Sequence, residues 1–477
     1  MTATDMTSDS SDMTGNRTKA PVFDNVLDAI GDTPLIEVKH MDTGKCRLFL
    51  KLENQNPGGS IKDRIGKVMI EKAEADGKIK PGDTIIEATA GNTGLGLALV
   101  AAQKGYKLII VVPDKMAQEK IFHLRALGAE VRLTRSDVAK GNPEYYQDVA
   151  ERLAGELGGY YINQFYNDAN PYTHETWTAP EIWEQMDHDI DAVVCGVGSG
   201  GTIAGFSHFF EKASPKTKMV LADPAGSILA NYIKTGELSN DVGSWEVEGI
   251  GEDFLPGVCD LSRVKDAYTV SDLESFEAAR ELLAKEGILG GSSTGTLLSA
   301  ALRYCQEQTE PQRVVTLVCD SGNKYLSKMF NDYWMMDRGY LDRKAYGDLR
   351  DVVGRLHEDR ATVTVGPDDL LLMAYGRMKL YDISQLPVLD ENQEVVGLLD
   401  EEDLLFSVIG HEEKFREPVK TAMTTRLETI EATQPVGRLI PLFNEGLVAI
   451  VTLEGRFQGL ITRIDLLNYL RRQMKEA

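Results

Sequence analysis

Cysteine is scarce in this chain of 477 residues: there are five, Cys46, Cys195, Cys259, Cys305 and Cys319, scattered and without a C-x-x-C pair. An odd set at such spacing builds neither a disulfide framework nor a zinc site, so reduced thiols in a cytoplasmic protein, and no metal, are expected. Long apolar runs are missing too, since no window approaches the roughly 18 residues of a membrane span. Basic charge is in deficit. Lys and Arg total 51 against 74 Asp and Glu, a formal charge of −23. Such a field repels phosphate backbones and anionic lipid, which excludes nucleic acid and membrane surfaces as partners. Residues 1–20 are rich in Ser, Thr and Asp with no apolar core; they match neither a signal nor a transit peptide and are expected to form a disordered tail.

What is present is length and a pattern. At roughly 100–200 residues per domain the chain predicts about three domains, and its 42% hydrophobic residues supply their cores despite only 7% aromatics. From Val22 onward strands alternate with helices: Thr84–Ala88 then Gly94–Lys104, Leu108–Val112 then Ala117–Leu127, then Glu130–Leu133. The alternation resumes at Ala192–Val197, runs through a helix to Phe210 and the strand Met219–Ala222, and ends on Val314–Cys319. It argues for an α/β unit on mostly parallel sheets covered by helices. A charged connector, Asp337–Arg350, follows. Beyond it, the run Gly397–Leu405 (GLLDEEDLL) recurs as Gly459–Leu467 (GLITRIDLL). With β-rich stretches upstream (Ala361–Val365 and Glu428–Ile430), a helix, and a further strand (Gln385–Leu389 and Val448–Leu453), each copy reads βαββα. One copy is too small to bury a core alone, so the two are expected to pack as a pair. The expected boundaries are a tail over 1–20, a first unit over 21–336, a linker over 337–354, and repeats over 355–412 and 413–477.

Four short motifs in the first unit carry chemistry. Asn56–Arg64 (NPGGSIKDR) puts Lys62 at the start of a helical run. A lone lysine is ordinarily a solvated surface group, yet only an amine forms an imine with an aldehyde cofactor. Glu87–Gly94 (EATAGNTG) lies between a strand and a helix and offers N–H groups and hydroxyls at a positive helix end, which suits a carboxylate. Gly196–Thr202 (GVGSGGT) follows an apolar strand and can wrap a phosphate in backbone N–H groups. It lacks the lysine of a Walker loop and the spacing of a dinucleotide site, so a cofactor phosphomonoester is the better fit. Gly290–Gly295 (GGSSTG) is a small-residue turn into a helix, and by itself it reads as structural.

Together, in this order and at this spacing, the four resemble the cysteine synthase and cystathionine β-synthase branch of fold-type II pyridoxal-phosphate enzymes, whose catalytic unit is two α/β lobes. The resemblance covers 22–334, and the repeat resembles a tandem pair of CBS domains, a Bateman module; the combination is typical of cystathionine β-synthases. It implies pyridoxal 5'-phosphate as cofactor, with Lys62 as the catalytic Schiff-base lysine and Asn92 on the ring oxygen. Gly198, Ser199, Gly200, Gly201 and Thr202 would hold the phosphate, and Ser292, or else Ser293, the pyridine nitrogen. A neutral hydroxyl there leaves the ring a moderate electron sink, suited to β-elimination rather than transamination. Thr89, Thr93 and Gln164 resemble binders of the substrate carboxylate. The implied reaction takes L-serine or O-acetylserine: Lys62 removes the α-proton, the β-substituent departs, and the thiol of L-homocysteine adds to give L-cystathionine, with hydrogen sulfide from cysteine as a further product.

Departures narrow that reading. No Cys precedes Cys46 and no His precedes His40, so the haem of some members is not expected. Ala90 stands at a substrate-facing position where many relatives have Ser. Glu252 stands where an aromatic is common, and is expected to pair with the amino group of homocysteine. In the second repeat Gly459, Thr462 and Asp465 match the G-x-x-[ST]-x-x-D turn of ligand-binding CBS domains, implying S-adenosylmethionine or an adenine nucleotide, whereas the first copy has Asp400 in place of the hydroxyl. A purely structural dimerisation module is the other reading of the pair. The alternatives for the whole are a cysteine synthase using O-acetylserine and sulfide, and a catalytically inactive scaffold that senses adenosine ligands. A homodimer or higher homo-oligomer acting on small amino acids is expected.

Overall fold

The computed structural model describes residues 22–475 apart from 90, 115–117, 136, 139–140, 240–241 and 343. The expected N-terminal tail and Ala90 therefore lie outside the described residues. The chain divides into two units, which meet in sequence at Leu326 and Ser327.

Among the described residues the first unit holds ten strands: β1 (Leu35–Glu37), β2 (Arg47–Lys51), β3 (Thr84–Ala88), β4 (Lys107–Pro113), β5 (Glu130–Thr134), β6 (Tyr160–Tyr161), β7 (Ala192–Gly196), β8 (Lys218–Pro224), β9 (Val264–Val270) and β10 (Arg313–Leu317). They form two sheets. One has the order β5-β4-β3-β6, all parallel. The other runs β1-β2-β10-β7-β8-β9, parallel except for β1. The central strands are mostly apolar and buried: in β4 every residue after Lys107 is buried, as required when helices cover both faces, and the carboxylates of Glu87 in β3 and Asp223 in β8 are buried with them. Strand β9 was not legible in advance. It forms the sheet edge, and its interior residues are exposed or half-buried, so it lacks the apolar run that marks a central strand.

Helix ends are set by familiar local chemistry. Helix Asn92–Lys104 stops at Gly105 in the left-handed region, φ 76°, where glycine carries no Cβ penalty. Helix Asp272–Glu286 opens with a reciprocal cap between Ser271 and Glu274, worth about 1 kcal/mol. Helices Lys62–Ala75 and Asn92–Lys104 approach backbone to backbone. A Cβ on Gly96 would sit 2.6 Å from the Lys62 carbonyl oxygen, and one on Gly66 would sit 2.7 Å from the Gly96 carbonyl carbon. On the same stretch of the first helix, Ile65, Met69 and Ile70 belong with Leu95, Leu97 and Ile110 to the core of this lobe.

Beside Lys62 lies a buried ionic network. The Arg64 guanidinium donates from Nε and Nη2 to the two oxygens of Glu53, both at 2.8 Å, and from Nη1 and Nη2 to Glu181 at 2.8 and 3.0 Å. Lys51 donates to Glu181 and, at 2.8 Å, to Gln185. Arg64, Glu53 and Lys51 are wholly buried, so two cations balance two anions away from water.

In the second unit each repeat has its own core, one around Leu371, Leu386, Val388 and Leu399, the other around Leu439, Val451 and Ile461. A further cluster joins Leu389 of the first copy to Ile450 and Phe457 of the second. The copies differ at their openings. The second begins with a strand, Thr429–Glu431, parallel to Ala449–Leu453. In the first, Ala361–Val365 is reduced to a single bridge between Val365 and Val388, because Gly366 and Pro367 follow at once and Pro has no N–H to continue a ladder. The far end of the connector is also more than a tether: Leu349, Val352 and Val353 are buried in the core of the second repeat.

Candidate active site

The segment Cys319–Gly322, directly after β10, stitches two of the sequence motifs together. The Ile61 N–H donates to the Cys319 carbonyl at 2.9 Å and the Ser321 N–H to the Gly59 carbonyl at 3.0 Å. On its other side the Gly291 N–H donates to the Asp320 carbonyl at 3.1 Å, and the Gly322 N–H to Leu289 at 3.1 Å. The turn bearing Lys62 and the turn bearing Ser292 are thus held by one strand of backbone. Gly291 is required there, because a Cβ would lie 2.0 Å from Asp320 Oδ1.

Lys62 is half-buried at the first position of its helix. Burial pushes its amine below the ordinary lysine value, against the pull of Cys319, Asp320 and Glu252, and an amine so shifted is more readily the free nucleophile and base. Glu252 faces the same region. Burial, with Asp253 and Asp223, raises its carboxyl well above the usual range, and Lys62 opposes the rise. Its backbone is fixed by Ser227, whose hydroxyl accepts the Glu252 N–H at 3.1 Å.

The loop before helix Gly201–Ala213 fits a phosphate. None of the backbone N–H groups of Gly198 to Thr202 has a partner among the described residues, and they stand at a helix N-terminus, where such groups and the helix dipole favour an anion. Side chains are excluded from the loop. A Cβ would meet Gly249 O at 2.4 Å from Gly198, Cys259 Cβ at 2.4 Å from Gly200, and Asn170 Oδ1 at 1.9 Å from Gly201. Asn170 braces it, donating to the Ser199 hydroxyl and to the Gln164 carbonyl, both at 2.9 Å. Thr202 Oγ1 lies 3.3 Å from His174 Nε2, and burial holds that imidazole neutral, well below its ordinary value.

The other predicted residues take definite places. Thr93 donates to Gln164 Oε1 at 2.7 Å, with both side chains and Thr89 buried. The Thr89 hydroxyl accepts the Gly91 N–H at 3.2 Å. Ser292 accepts the Glu248 N–H at 2.9 Å and shares a hydrogen bond with the Tyr325 side chain, from which its proton would turn to reach a ring nitrogen; Ser293 is turned instead toward the Cys319 thiol. In the second repeat, Thr462 donates from its N–H (2.8 Å) and its hydroxyl to Asp465 Oδ2. In the first, Asp400 caps its helix by accepting the Asp403 N–H at 2.7 Å. A half-buried lysine whose amine is lowered by its surroundings, a cradle of backbone N–H groups without partners among the described residues, and the Ser292 hydroxyl together fit pyridoxal phosphate. Among the described residues no group of three His, Cys, Asp or Glu could hold a metal ion, and no helix is long and apolar enough to cross a membrane.

Comparison with known proteins agrees with this chemistry. The family described as "Pyridoxal-phosphate dependent enzyme" matches residues 26–320, and the CBS domain matches 351–410 and 419–472. The cystathionine beta-synthase of Dictyostelium discoideum is 38% identical over 472 residues, 96% of this chain and 94% of that protein. The chain belongs to the cystathionine beta-synthase family of pyridoxal-phosphate dependent enzymes. Within the family, the O-acetylserine dependent cystathionine beta-synthase of Bacillus subtilis is 40% identical over 310 residues, 64% of this chain and 97% of that protein. A solved hydrogen sulfide-producing enzyme from Fusobacterium nucleatum is 39% identical with a TM-score of 0.60, over 64% of this chain and all of its own. Such relatives match only the catalytic unit; the Dictyostelium protein matches the repeats as well.

Several residues of the site were not visible in the motifs: Asn170, His174, Asp320, Lys324 and Tyr325. Asp320 Oδ2 accepts from Asn92 Nδ2 and from the Tyr325 hydroxyl, both at 2.8 Å. The only advance signal for this group was the Asp320-Ser321-Gly322 turn, which reads as a loop and nothing more.

Proposed function

We propose that this protein is a pyridoxal-phosphate-dependent lyase that condenses L-serine or O-acetylserine with L-homocysteine to L-cystathionine, and that it also releases hydrogen sulfide from cysteine. The carrying observation is the half-buried Lys62, its amine lowered by burial and set beside Glu252 and Asp320, where the turns bearing Asn92 and Ser292 meet. Bound there, the cofactor supplies an electron sink for the α-carbon of the amino acid. Lys62 anchors it, then takes the α-proton with an amine whose basicity burial has lowered toward the working range. Thr89, Thr93 and Gln164 receive the substrate carboxylate at the start of helix Asn92–Lys104. Gly198–Thr202 fix the phosphate, and Ser292 donates to the ring nitrogen without protonating it. Glu252 receives the ammonium of homocysteine, which draws its carboxyl back to the charged form. The names of the Dictyostelium, Bacillus and Fusobacterium relatives support the reading.

The deciding experiment is product analysis with serine or O-acetylserine, each offered homocysteine or sulfide. Cystathionine as the main product supports the reading; cysteine from O-acetylserine and sulfide alone replaces it with a cysteine synthase. Lys62→Ala should abolish both turnover and the visible absorption of the bound cofactor. Glu252→Ala should raise the homocysteine KM about tenfold, the worth of one charge-assisted hydrogen bond, and an unchanged KM removes that role. The second repeat takes S-adenosylmethionine or an adenine nucleotide at Thr462 and Asp465; absence of heat with either in calorimetry leaves the pair a structural module. The five free thiols support a cytoplasmic setting, and we read the assembly as a homodimer or larger homo-oligomer, which light scattering tests.

A further inference from the structure

We infer that Lys324 and Asp320 act together as a clamp that fixes the orientation of the Asn92 amide, so that its remaining N–H is presented to the ring oxygen of the cofactor. The inference rests on the cofactor reading above and assigns Lys324 as a positioning residue. Lys324 Nζ donates to Asn92 Oδ1 at 2.6 Å, and Asn92 Nδ2 donates to Asp320 Oδ2 at 2.8 Å. An ammonium has no acceptor and a carboxylate no donor. Only one of the two ways an amide can be turned satisfies both neighbours at once. The reverse turn sets the amide NH2 against the ammonium and its carbonyl against the carboxylate, two repulsions in place of two hydrogen bonds.

The clamp leaves one N–H of the Asn92 amide without a partner among the described residues. A ring oxygen that carries negative charge needs a donor, and a flipped Asn92 would present an acceptor to it. The lysine itself is well placed for the task. It lies in the turn Gly322–Tyr325, directly after the stitching segment, and its amine would be 3.9 Å from a Cβ on Gly59. It therefore ties the Asn92 loop to its own segment and lies close to the Lys62 turn. Burial and Lys120 act against its charge, while Asp320 and Asp63 favour it. The donor at Asn92 is thus set by groups more than 200 residues away in the chain.

The test uses the full-length holoenzyme, with Lys324→Met removing the donor, Lys324→Arg keeping one, Asn92→Ala, and the double variant Asn92→Ala/Lys324→Met. Two readouts are taken: the dissociation constant for pyridoxal phosphate, and the balance of long- and short-wavelength absorption bands of the lysine-bound cofactor. Lys324→Met should weaken cofactor binding about tenfold and shift the spectrum toward the short-wavelength band, with Lys324→Arg close to wild type. In the Asn92→Ala background the same change should have no further effect on either readout, since its action passes through Asn92. An equal loss in both backgrounds, or no loss in either, overturns the clamp while the cofactor reading stands. A wild-type protein with no Lys62-dependent visible band overturns the cofactor reading, and the clamp with it.

Discussion

Replacing Arg64 by methionine should cost the first unit about 3–5 kcal/mol of stability, the usual effect of removing one partner from a buried ion pair. The charges in the network explain the size. Arg64 and Lys51 balance Glu53 and Glu181, and the guanidinium alone satisfies both carboxylates through four contacts of 2.8–3.0 Å. Without it two carboxylates face a single ammonium in a site closed to water. The reporter is built in, because the Arg64 guanidinium lies 5.0 Å over the Trp177 ring. Urea unfolding followed by tryptophan fluorescence should show a lower midpoint with the slope unchanged. Adding Glu181→Gln removes one excess anion and should recover part of the loss. The pH dependence follows from the same groups. Burial tends to raise the Glu181 carboxyl, but Arg64 and Lys51 outweigh it and hold the group below its ordinary 4.5. That contribution is complete above the ordinary value and is lost as pH falls through the lower folded value. Arg64→Met should therefore lose stability less steeply in acid than wild type does. A midpoint shift worth less than about 1 kcal/mol, or no recovery in the double variant, would refute the reasoning.

Gly96→Ala should cost about 1–3 kcal/mol by overpacking and depress kcat, because the added carbon pushes against the Lys62 carbonyl; unfolding and steady-state rates measure the two effects. Asp63 is raised to about 7, chiefly by burial and against its bond from the Gly58 N–H. A raised carboxyl stabilises fully below its ordinary 3.8 and loses that contribution as pH rises through the folded value. Asp63→Asn should accordingly flatten the decline in unfolding free energy between those two values, roughly 4 kcal/mol at most for a shift of about three units. Ser292→Ala should lower kcat with little change in homocysteine KM, whereas Ser293→Ala should leave kcat near wild type; the reverse order in steady-state assays would move the ring-nitrogen role to Ser293.

Six of the parallel strands of the first unit, β3, β4, β5, β7, β8 and β10, were legible from short, mostly apolar runs alternating with helical stretches, whereas β2 and β6 were not; the four motifs were legible because each keeps its chemistry within a few residues. Contacts across the chain left no such trace. Asn92 meets Asp320 and Lys324 across more than 200 residues, and nothing near Lys324 separates it from a solvated surface lysine. Asn170 and His174 likewise act on Ser199 and Thr202 from another helical segment. Edge strand β9 was hidden by its polar interior. In the connector, the charged residues around Leu349, Val352 and Val353 masked three side chains that are wholly buried.

Those three side chains bear on how the protein can be dissected. The repeat invites a splice between residues 412 and 413, yet a fragment ending there would bare Leu349, Val352 and Val353, whose cover comes from the far copy. A fragment of the second copy alone would lack the residues that plug it. The last helix fastens the same stretch from outside, where Arg472 donates to Asp337 Oδ1 at 2.6 Å and to the Asp351 carbonyl at 3.1 Å. The halves are therefore interlocked, and an excised module keeps these contacts only if it begins upstream of Asp337 and retains Arg472.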